Sequence, residues 1–157
     1  MNSAKAKFMK MEWWKMADLT GKTWMAIGET DDPNAIIEAF EAAADITKGD
    51  PVYLSADNKV SPATSAQDCI GIAVKSVSLG DLCPVLIRGR VKVKAGGSIT
   101  RGKAVYGADS SKRILQLSDQ AVNEGGTNTY TIYYNRKLGT ALASASAEDL
   151  LFIYVGK

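Results

Sequence analysis

The apolar residues of this chain fall into short runs that are separated by polar turns. Residues 91–95 read Val-Lys-Val-Lys-Ala, the alternation of a strand with one buried face, whereas residues 84–87 and 151–155 are continuously apolar, as in buried strands. Turn residues, many of them glycine, recur roughly every 8 to 12 residues between such runs. The pattern predicts an all-β protein, a small β-barrel or sandwich.

The same pattern occurs twice along the chain. Residues 46–53 match residues 99–106 at five of eight positions, and residues 71–82 match residues 139–150. The two blocks follow each other in the same order in both halves. Because internal repeats of this kind are supersecondary units that pack on one another, we predict that the protein is built from two related β units.

The second half of the chain is longer than the first. The first pair of matching blocks is offset by 53 residues and the second pair by 68, so 15 additional residues follow Tyr106. Residues 124–128 read Glu-Gly-Gly-Thr-Asn between two strand-like runs, which is typical of a hairpin loop. We predict an internal repeat over residues 38–91 and 91–157, with a hairpin insertion at about residues 113–136.

The repeat decides an ambiguous segment near the start of the body. Asp32 followed by Pro33 and a run of apolar residues at helical spacing favours a helix. The 53-residue offset instead places the alternating residues 91–95 over residues 38–42. We predict a strand at residues 38–42, because related units use the same element, and keep a short helix near Pro33 as the alternative.

The first residues of the chain differ in composition from the rest. All five methionines and all three tryptophans lie within residues 1–25, where five lysines against two acidic residues give a net charge of +3. We predict an extended N-terminal arm, residues 1–30, ahead of a β domain, residues 31–157. Aromatic anchors, adaptable methionines and steering lysines suit a partner surface. The predicted partner-binding residues are Lys7, Phe8, Met9, Lys10, Met11, Trp13, Trp14 and Trp24.

Two other interpretations of this arm stay open. Trp13, Trp14 and Trp24 could instead cover the bottom of the same domain's barrel. An interfacial membrane helix is less favoured, because the basic and aromatic residues do not separate onto two helical faces.

Composition and charge narrow the function classes. The 157 residues are 46% apolar, enough for one packed domain, and a net charge of +2 is too small for a protein that neutralises many phosphates. We expect no direct nucleic-acid partner. The basic residues 1–7 are not followed by an apolar signal-peptide region, and no apolar run approaches the ~20 residues of a spanning helix. We expect a soluble protein with no membrane partner.

The residues that carry most enzyme chemistry are missing or isolated. Histidine is absent, which removes the commonest general base and zinc ligand. Cys69 and Cys83 suggest buried reduced thiols, with a mutual disulfide as the alternative. The carboxylate pairs at residues 31–32 and 148–149 lie in turn-like contexts, and residues 95–98 lack the lysine and helix of a phosphate loop. We expect no enzyme, no metal and no cofactor.

The most basic run of the body is the predicted strand at residues 88–94. Two-residue alternation places Arg88, Arg90, Lys92 and Lys94 on one face. We predict a solvated strand face, which also discourages edge pairing with other sheets. The alternative is a surface for an acidic partner or RNA.

Several turn-and-strand motifs together carry a family resemblance. Residues 46–54 read Ile-Thr-Lys-Gly-Asp-Pro-Val-Tyr-Leu, residues 59–63 read Lys-Val-Ser-Pro-Ala, residues 71–73 read Gly-Ile-Ala, and a second signature covers residues 91–102. In this order, from about residue 42 to residue 155, they resemble the capsid decoration (cement) proteins of tailed double-stranded DNA viruses.

The resemblance implies a β-tulip-like head-stabilising protein, commonly a homotrimer. Such a protein is made in the host cytoplasm and sits on the outer capsid surface of the virion, at three-fold and local three-fold positions. There it binds the major capsid protein and cements neighbouring subunits against the pressure of the internal DNA. The N-terminal arm and the 15-residue insertion are additions to the family's shorter members.

A second function class is a carbohydrate- or ligand-binding β module displayed on a larger assembly. It would expose Tyr130, Tyr133 and Tyr134 from the insertion. Binding to a glycan that is lost on replacing these tyrosines, without affinity for capsids, would favour it.

Overall fold

The computed structural model describes residues 25–118 and 136–156, and this part of the chain is all-β. No helix in it is long and apolar enough to cross a membrane. The predicted fold class is confirmed. The strands of the described residues are β1 (Ile36–Ala42), β2 (Pro51–Ala56), β3 (Lys59–Pro62), β4 (Cys69–Ala73), β5 (Leu82–Lys94), β6 (Ala104–Gly107), β7 (Ile114–Gln116), β8 (Gly139–Ala141) and β9 (Leu150–Val155).

The first five strands close into a barrel with the order β1-β3-β2-β4-β5. β1 completes the ring by pairing in parallel with β3 and antiparallel with β5, from Ile36 opposite Arg88 to Glu41 opposite Leu82. A closed ring of this kind removes the open strand edges that would otherwise pair with other chains. We call β1–β4 together with residues 82–88 of β5 unit 1.

β5 continues beyond this ring into a second one. Its residues 89–94 pair with β9, and the order runs on through β8 and β6 to β7. A bridge between Ala95 and Ile114, with the Gly96 N–H donating to the Ile114 oxygen at 2.8 Å, brings β7 back beside the end of β5. Unit 2, defined as residues 89–95 with β6–β9, therefore repeats the strand order of unit 1, and both units share β5.

Gly89 lies where β5 passes from one ring to the other. Its φ is +131°, and a Cβ at this position would lie 2.9 Å from the Cβ of Ala35 and 3.1 Å from Oδ2 of Asp32. A side chain would therefore collide with the segment that precedes β1. Glycine permits both this backbone conformation and the close approach.

The two units also share individual backbone hydrogen bonds. Under the sequence offsets of 53 and 68 residues, bonds in unit 1 have counterparts in unit 2. The reciprocal bonds between Ile46 and Val77 correspond to those between Ile99 and Ala145. The bond from Gly49 N–H to Ala73 O (2.7 Å) corresponds to that from Gly102 N–H to Ala141 O (2.8 Å). The bond from Gly80 N–H to Ala42 O (2.8 Å) corresponds to that from Glu148 N–H to Ala95 O (2.9 Å). The prediction of two related β units is thereby confirmed.

Each unit has a buried core built from equivalent positions. The core of unit 1 contains Ala42, Ile46, Val52, Val60, Ala73, Cys83 and Val85. The matching residues in unit 2 are Ala95, Ile99, Val105, Ile114, Ala141, Leu151 and Ile153. The matching positions face inward because strand side chains alternate between the two faces.

The two units pack against each other along what we call the seam. Cys69, Ile72 and Leu86 point outward from unit 1, are fully buried, and belong to the same cluster as the interior of unit 2. Gly107 of unit 2 fits closely here, since a Cβ on it would lie 2.7 Å from the Cβ of Pro51 and 3.0 Å from the Cys69 sulfur. The seam therefore packs the outer face of unit 1 onto the core of unit 2, beside the separate core of unit 1.

Both cysteines are buried and neither forms a disulfide. The prediction of reduced thiols is confirmed. Burial raises the pKa of the Cys83 thiol, and the nearby Asp50 carboxylate acts in the same direction. Because the thiolate is the reactive form, this environment keeps Cys83 unreactive.

Residues 38–42 form the strand that the repeat predicted, and the competing helix near Pro33 is absent. Asp32 Oδ1 instead accepts the Asn34 N–H at 2.9 Å in a short turn. β1 then gains hydrogen-bonded partners on two sides. These bonds prevail because helix propensities differ by only fractions of a kcal/mol per residue.

The predicted domain boundaries stay predictions. They are residues 1–30 for the arm and 31–157 for the β domain, and the limits of the repeat are equally untested. The hairpin insertion at about residues 113–136 falls mostly on residues 119–135, outside the described part of the chain.

Gly71 and Gly139 are equivalent positions whose replacement tests this packing. A Cβ at Gly71 would fall far inside van der Waals contact with the Leu86 carbonyl oxygen, and one at Gly139 would do so with the Tyr154 carbonyl oxygen. Because backbone is the obstacle, we expect Gly71→Ala and Gly139→Ala each to lower the free energy of unfolding by about 2 to 3 kcal/mol, measured by chemical denaturation. Gly97→Ala, whose Cβ meets only an ordinary contact at 3.9 Å, is the control. Equal losses in all three variants would contradict the prediction.

Candidate functional site

The predicted partner-binding residues lie outside the described part of the chain. This holds for Lys7, Phe8, Met9, Lys10, Met11, Trp13, Trp14 and Trp24, and also for Tyr130, Tyr133 and Tyr134 of the alternative ligand site. The structure describes how the chain that carries the first set joins the β body. We call residues 25–34 the arm root and residues 1–24 the N-terminal segment.

The arm root is hydrogen-bonded along β5. The Gly28 N–H donates to the Lys92 carbonyl oxygen at 2.7 Å, and the Lys92 N–H donates to the Glu29 carbonyl oxygen at 3.0 Å. The Arg90 N–H donates to the Asp32 carboxylate at 3.3 Å. The second half of β5 is therefore paired with β9 and also bonded to the root, which satisfies its backbone polar groups.

The root is also fitted closely to unit 1. Glu29 Oε2 accepts the Ala26 N–H at 3.0 Å, which holds the first turn of the root. Gly28 has a φ of +80°, and a Cβ there would lie 2.7 Å from the backbone nitrogen of Gly49. Met25 is only 4% exposed. The root is therefore anchored to the body by a buried side chain as well as by backbone contacts.

Two ion pairs add to this attachment. Arg90 Nε contacts Asp31 Oδ1 at 2.9 Å, and Lys48 Nζ contacts Glu29 Oε1 at 3.2 Å. The Asp31 side chain is 17% exposed, whereas both partners of the second pair are more than a third exposed. The first pair therefore contributes more, because solvent screens exposed pairs. The Ala26 N–H, followed by the Lys48 ammonium, holds the pKa of Glu29 below its ordinary value.

Lys92 departs from the predicted solvated strand face. It is only 3% exposed, and its ammonium lies 5.4 Å from the centre of the Phe152 ring, a cation–π distance. Burial lowers the pKa of Lys92, and the Glu29 carboxylate partly offsets this. The prediction is wrong for Lys92 because the arm root pairs with β5 at this residue. It holds for Arg88, which is exposed.

The carboxylate pairs at residues 31–32 and 148–149 form hydrogen bonds and ion pairs within the fold. Asp31 and Asp32 attach the arm root, as described above. Asp149 Oδ2 accepts the Ser146 N–H at 2.9 Å, and Glu148 pairs with Lys94 at 3.1 Å. Over residues 25–118 and 136–156, no group of three or more His, Cys, Asp or Glu side chains could hold a metal ion.

Among the open grooves on the described surface are one of about 570 Å³ and one of about 430 Å³. Apolar and polar side chains are mixed in each. The larger groove is lined by Tyr53, Leu54, Ala66, Gln67, Asp68, Ile70 and Arg136. The smaller is lined by Asp45, Lys75, Ser76, Val77, Ser78, Asp81 and Leu82.

These features define an all-β protein of two related units, with a tryptophan-rich segment that precedes the root bonded to their shared strand. A family model described as phage cement protein matches residues 65–156, and the chain belongs to this family. The resemblance carried by the turn-and-strand motifs is thereby confirmed. The family is one of structural capsid proteins, so the chain has a capsid-associated structural role in a bacteriophage virion.

The other comparisons bear on the fold. The chain is similar to the solved structure of the head fiber gp8.5 N base of bacteriophage phi29, with a TM-score of 0.52 and 17% sequence identity. The match covers 78% of this chain and 94% of that one. At this identity the likeness shows the fold alone. No curated protein matches the chain.

The sequence reasoning missed the arm root. It placed residues 25–30 in an extended arm and gave Asp31 and Asp32 no partner. A signal was present, because Glu29, Asp31 and Asp32 are acidic and residues 88–94 are the most basic run of the body. Pairing these two runs by charge would have placed the root on β5.

The shifted pKa of Glu29 predicts that acid weakens the arm root. Its folded-state pKa lies below the unfolded value of about 4.3, so its contribution to stability is present above that value and is lost as the pH falls through the folded-state pKa. All three tryptophans precede Met25, so their fluorescence reports on the N-terminal segment. We expect this fluorescence to change in acid before the far-UV circular dichroism of the β body changes.

Glutamine at position 29 mimics the protonated carboxyl and checks this assignment. Glu29→Gln should lose the acid transition in fluorescence, whereas Glu38→Gln on the exposed side of β1 should keep it. An unchanged transition in Glu29→Gln would show that another group controls the root.

Proposed function

We propose that this protein binds the outer surface of the capsid at three-fold and local three-fold positions and cements neighbouring major capsid protein subunits. It would thereby stabilise the shell against the pressure of packaged DNA. The proposal includes a homotrimer, synthesis in the host cytoplasm and kinship with β-tulip head-stabilising proteins. Membership of the phage cement protein family supports it.

The observation that carries the proposal is the attachment of the arm root to β5. The backbone bonds between the root and Lys92, and the ion pair between Asp31 and Arg90, join the N-terminal segment to the strand that both rings share. A pull on that segment is therefore distributed over both barrels. A connector between subunits needs such an attachment, because a segment that detaches from its own fold no longer holds the two subunits together.

The chemistry of the N-terminal segment suits contact with a protein surface. Trp13, Trp14 and Trp24 are large anchors that gain binding free energy when they are desolvated. Methionines such as Met9 and Met11 adapt to irregular apolar surfaces. Lys7 and Lys10 would steer the segment toward an acidic shell.

A single short segment would hold weakly, and a homotrimer removes this weakness. Once one copy is attached, the second and third attachments become intramolecular events. Avidity can then exceed the single-site affinity by about 10² to 10⁴. Subunits bridged by three such contacts separate only when several contacts are lost together.

The first test adds purified protein to expanded capsids that lack decoration. We expect the temperature of capsid disruption to rise with protein concentration until the sites are saturated, because a ligand of the intact shell stabilises it by mass action. Light scattering and calorimetry of the capsids measure this. Unchanged shell stability at saturating protein would contradict the proposal.

The second test removes residues 1–24 and leaves the arm root from Met25 onward. We expect a folded β body with an unchanged melting temperature and an affinity for capsids at least about 10²-fold lower, since the avidity of the segments is lost. Sedimentation of the protein with capsids measures the affinity. The matched variant Lys7→Ala/Lys10→Ala should mainly slow association and reduce its salt dependence.

Unfolding of the truncated body would contradict this role of the segment. It would show that Trp13, Trp14 and Trp24 belong to the core of the domain. Full capsid binding by a folded, truncated protein would place the capsid contact on the β body instead.

A further inference from the structure

The inward-facing side chains at one end of unit 1 are incompletely buried. β1 and β4 begin at this end, and β2 and the unit 1 part of β5 end there, because these strands pair antiparallel. Leu54 lies opposite the core residue Val60 and is 49% exposed. Phe40, Ile70 and Ile87 pack against the core of unit 1 and are only partly buried. We call Phe40, Leu54, Ile70 and Ile87 the open end.

The equivalent end of unit 2 is buried. At the offsets of 53 and 68 residues, the open end corresponds to four buried residues, Val93, Gly107, Leu138 and Val155. The valines and the leucine among them belong to the cluster that also contains the outward-facing residues of unit 1 at the seam. Unit 1 therefore fills the end of unit 2 that corresponds to its own open end.

The loops before β4 and β8 connect the two units. The Ala108 N–H donates to the Ser65 carbonyl oxygen at 2.9 Å, so the β3–β4 loop of unit 1 lies at the filled end of unit 2. The equivalent β7–β8 loop contains most of the 15 additional residues of the second half. Its residue Arg136 lines the same groove as Leu54 and Ile70. The chain that precedes Arg136 therefore joins the body beside the open end.

The run that precedes Arg136 has one apolar face if it is extended. It reads Tyr-Thr-Ile-Tyr-Tyr-Asn, the pattern of a strand. Two-residue alternation puts Tyr130, Ile132 and Tyr134 on one face and Tyr133 on the other. Tyr134 is two residues from Arg136, so its Cα lies within about 7 Å of the Arg136 Cα. This covalent limit keeps Tyr134 near the groove.

The open end and the groove beside it suit tyrosine side chains. Leu54 and Ile70 offer apolar contact, whereas Gln67 and Asp68 line the same groove. Glu38 also faces the interior at this end and is exposed. A tyrosine can bury its ring on such a surface while its hydroxyl keeps a polar partner.

The N-terminal segment joins the body at the opposite end of unit 1. A Cβ on Gly28 of the arm root would lie 2.7 Å from the Gly49 nitrogen. The Gly49 N–H donates to the carbonyl oxygen of Ala73, the last residue of β4. Residues 119–135, and not residues 1–24, are therefore the segment that is joined to the body beside the open end.

We propose that the run before Arg136 packs on the open end of unit 1, with Tyr130, Ile132 and Tyr134 facing the body and Tyr133 facing outward. Each unit then fills the corresponding end of the other, and the additional residues of the second half supply the length and the aromatic side chains for this contact. The contact forms within one chain and does not depend on attachment to a capsid. It also removes Tyr130 and Tyr134 from any surface that binds a carbohydrate.

A double-mutant cycle between Leu54 and Tyr134 tests the contact in the full-length protein. We expect Leu54→Ala and Tyr134→Ala each to lower the equilibrium constant for folding about tenfold. The double variant should also lower it about tenfold, rather than about a hundredfold, because both substitutions remove the same contact. Chemical denaturation at one protein concentration measures these constants. Tyr133→Ala, on the outward face, is the matched control and should fold as the wild type does.

Additive effects of Leu54→Ala and Tyr134→Ala would overturn the proposal, and so would equal losses from Tyr133→Ala and Tyr134→Ala. Sedimentation velocity and capsid binding of the same variants identify a different occupant of the open end. Weaker self-association of both Leu54→Ala and Tyr134→Ala, with unchanged folding stability, would assign these residues to a contact between copies. Loss of capsid affinity with unchanged stability would assign them to the capsid. Either result would equally overturn the proposal.

Discussion

One strand, β5, is the element on which the rest of the structure depends. Its first half closes the ring of unit 1 against β1 and β4, and its second half pairs with β9 while bonding to the arm root. Backbone groups that lose such partners inside a protein cost free energy. The two rings, the seam and the root therefore constrain one another through a strand of 13 residues, and Gly89 is the position that lets it change partners.

The internal repeat carried most of what could be predicted about the fold. It identified two related units, and it correctly made residues 38–42 a strand although Asp32 and Pro33 favour a helix. The repeat succeeds here because two matching segments occupy equivalent places in the fold, so a clear strand in one indicates a strand in the other. Propensity reports only on the local sequence. The exchange of partners at β5 was not predictable, because alternation shows which face of a strand is apolar but not which strands lie beside it.

The candidate site was predicted only in part. Composition located a tryptophan- and methionine-rich segment, and the motifs indicated the family. The arm root was missed because its contacts join residues about 60 positions apart, as between Asp31 and Arg90. The alternation of apolar and polar residues along a strand gives no information about contacts at that sequence distance. The burial of Lys92 was missed for the same reason. Alternation correctly put Lys92 on the polar face of β5, but it could not show that the arm root covers that face.

The burial of Lys92 bears on how the root comes away from the body. An ammonium group regains hydration when it is uncovered, so lifting the root is less unfavourable than the loss of its hydrogen bonds alone would suggest. Those bonds are not among the strand pairings of either unit, so the sheet stays intact when they break. The root therefore passes a pull from the N-terminal segment on to β5 only up to the force that detaches it. Beyond that force the root comes away while both units keep their fold, and it can reattach.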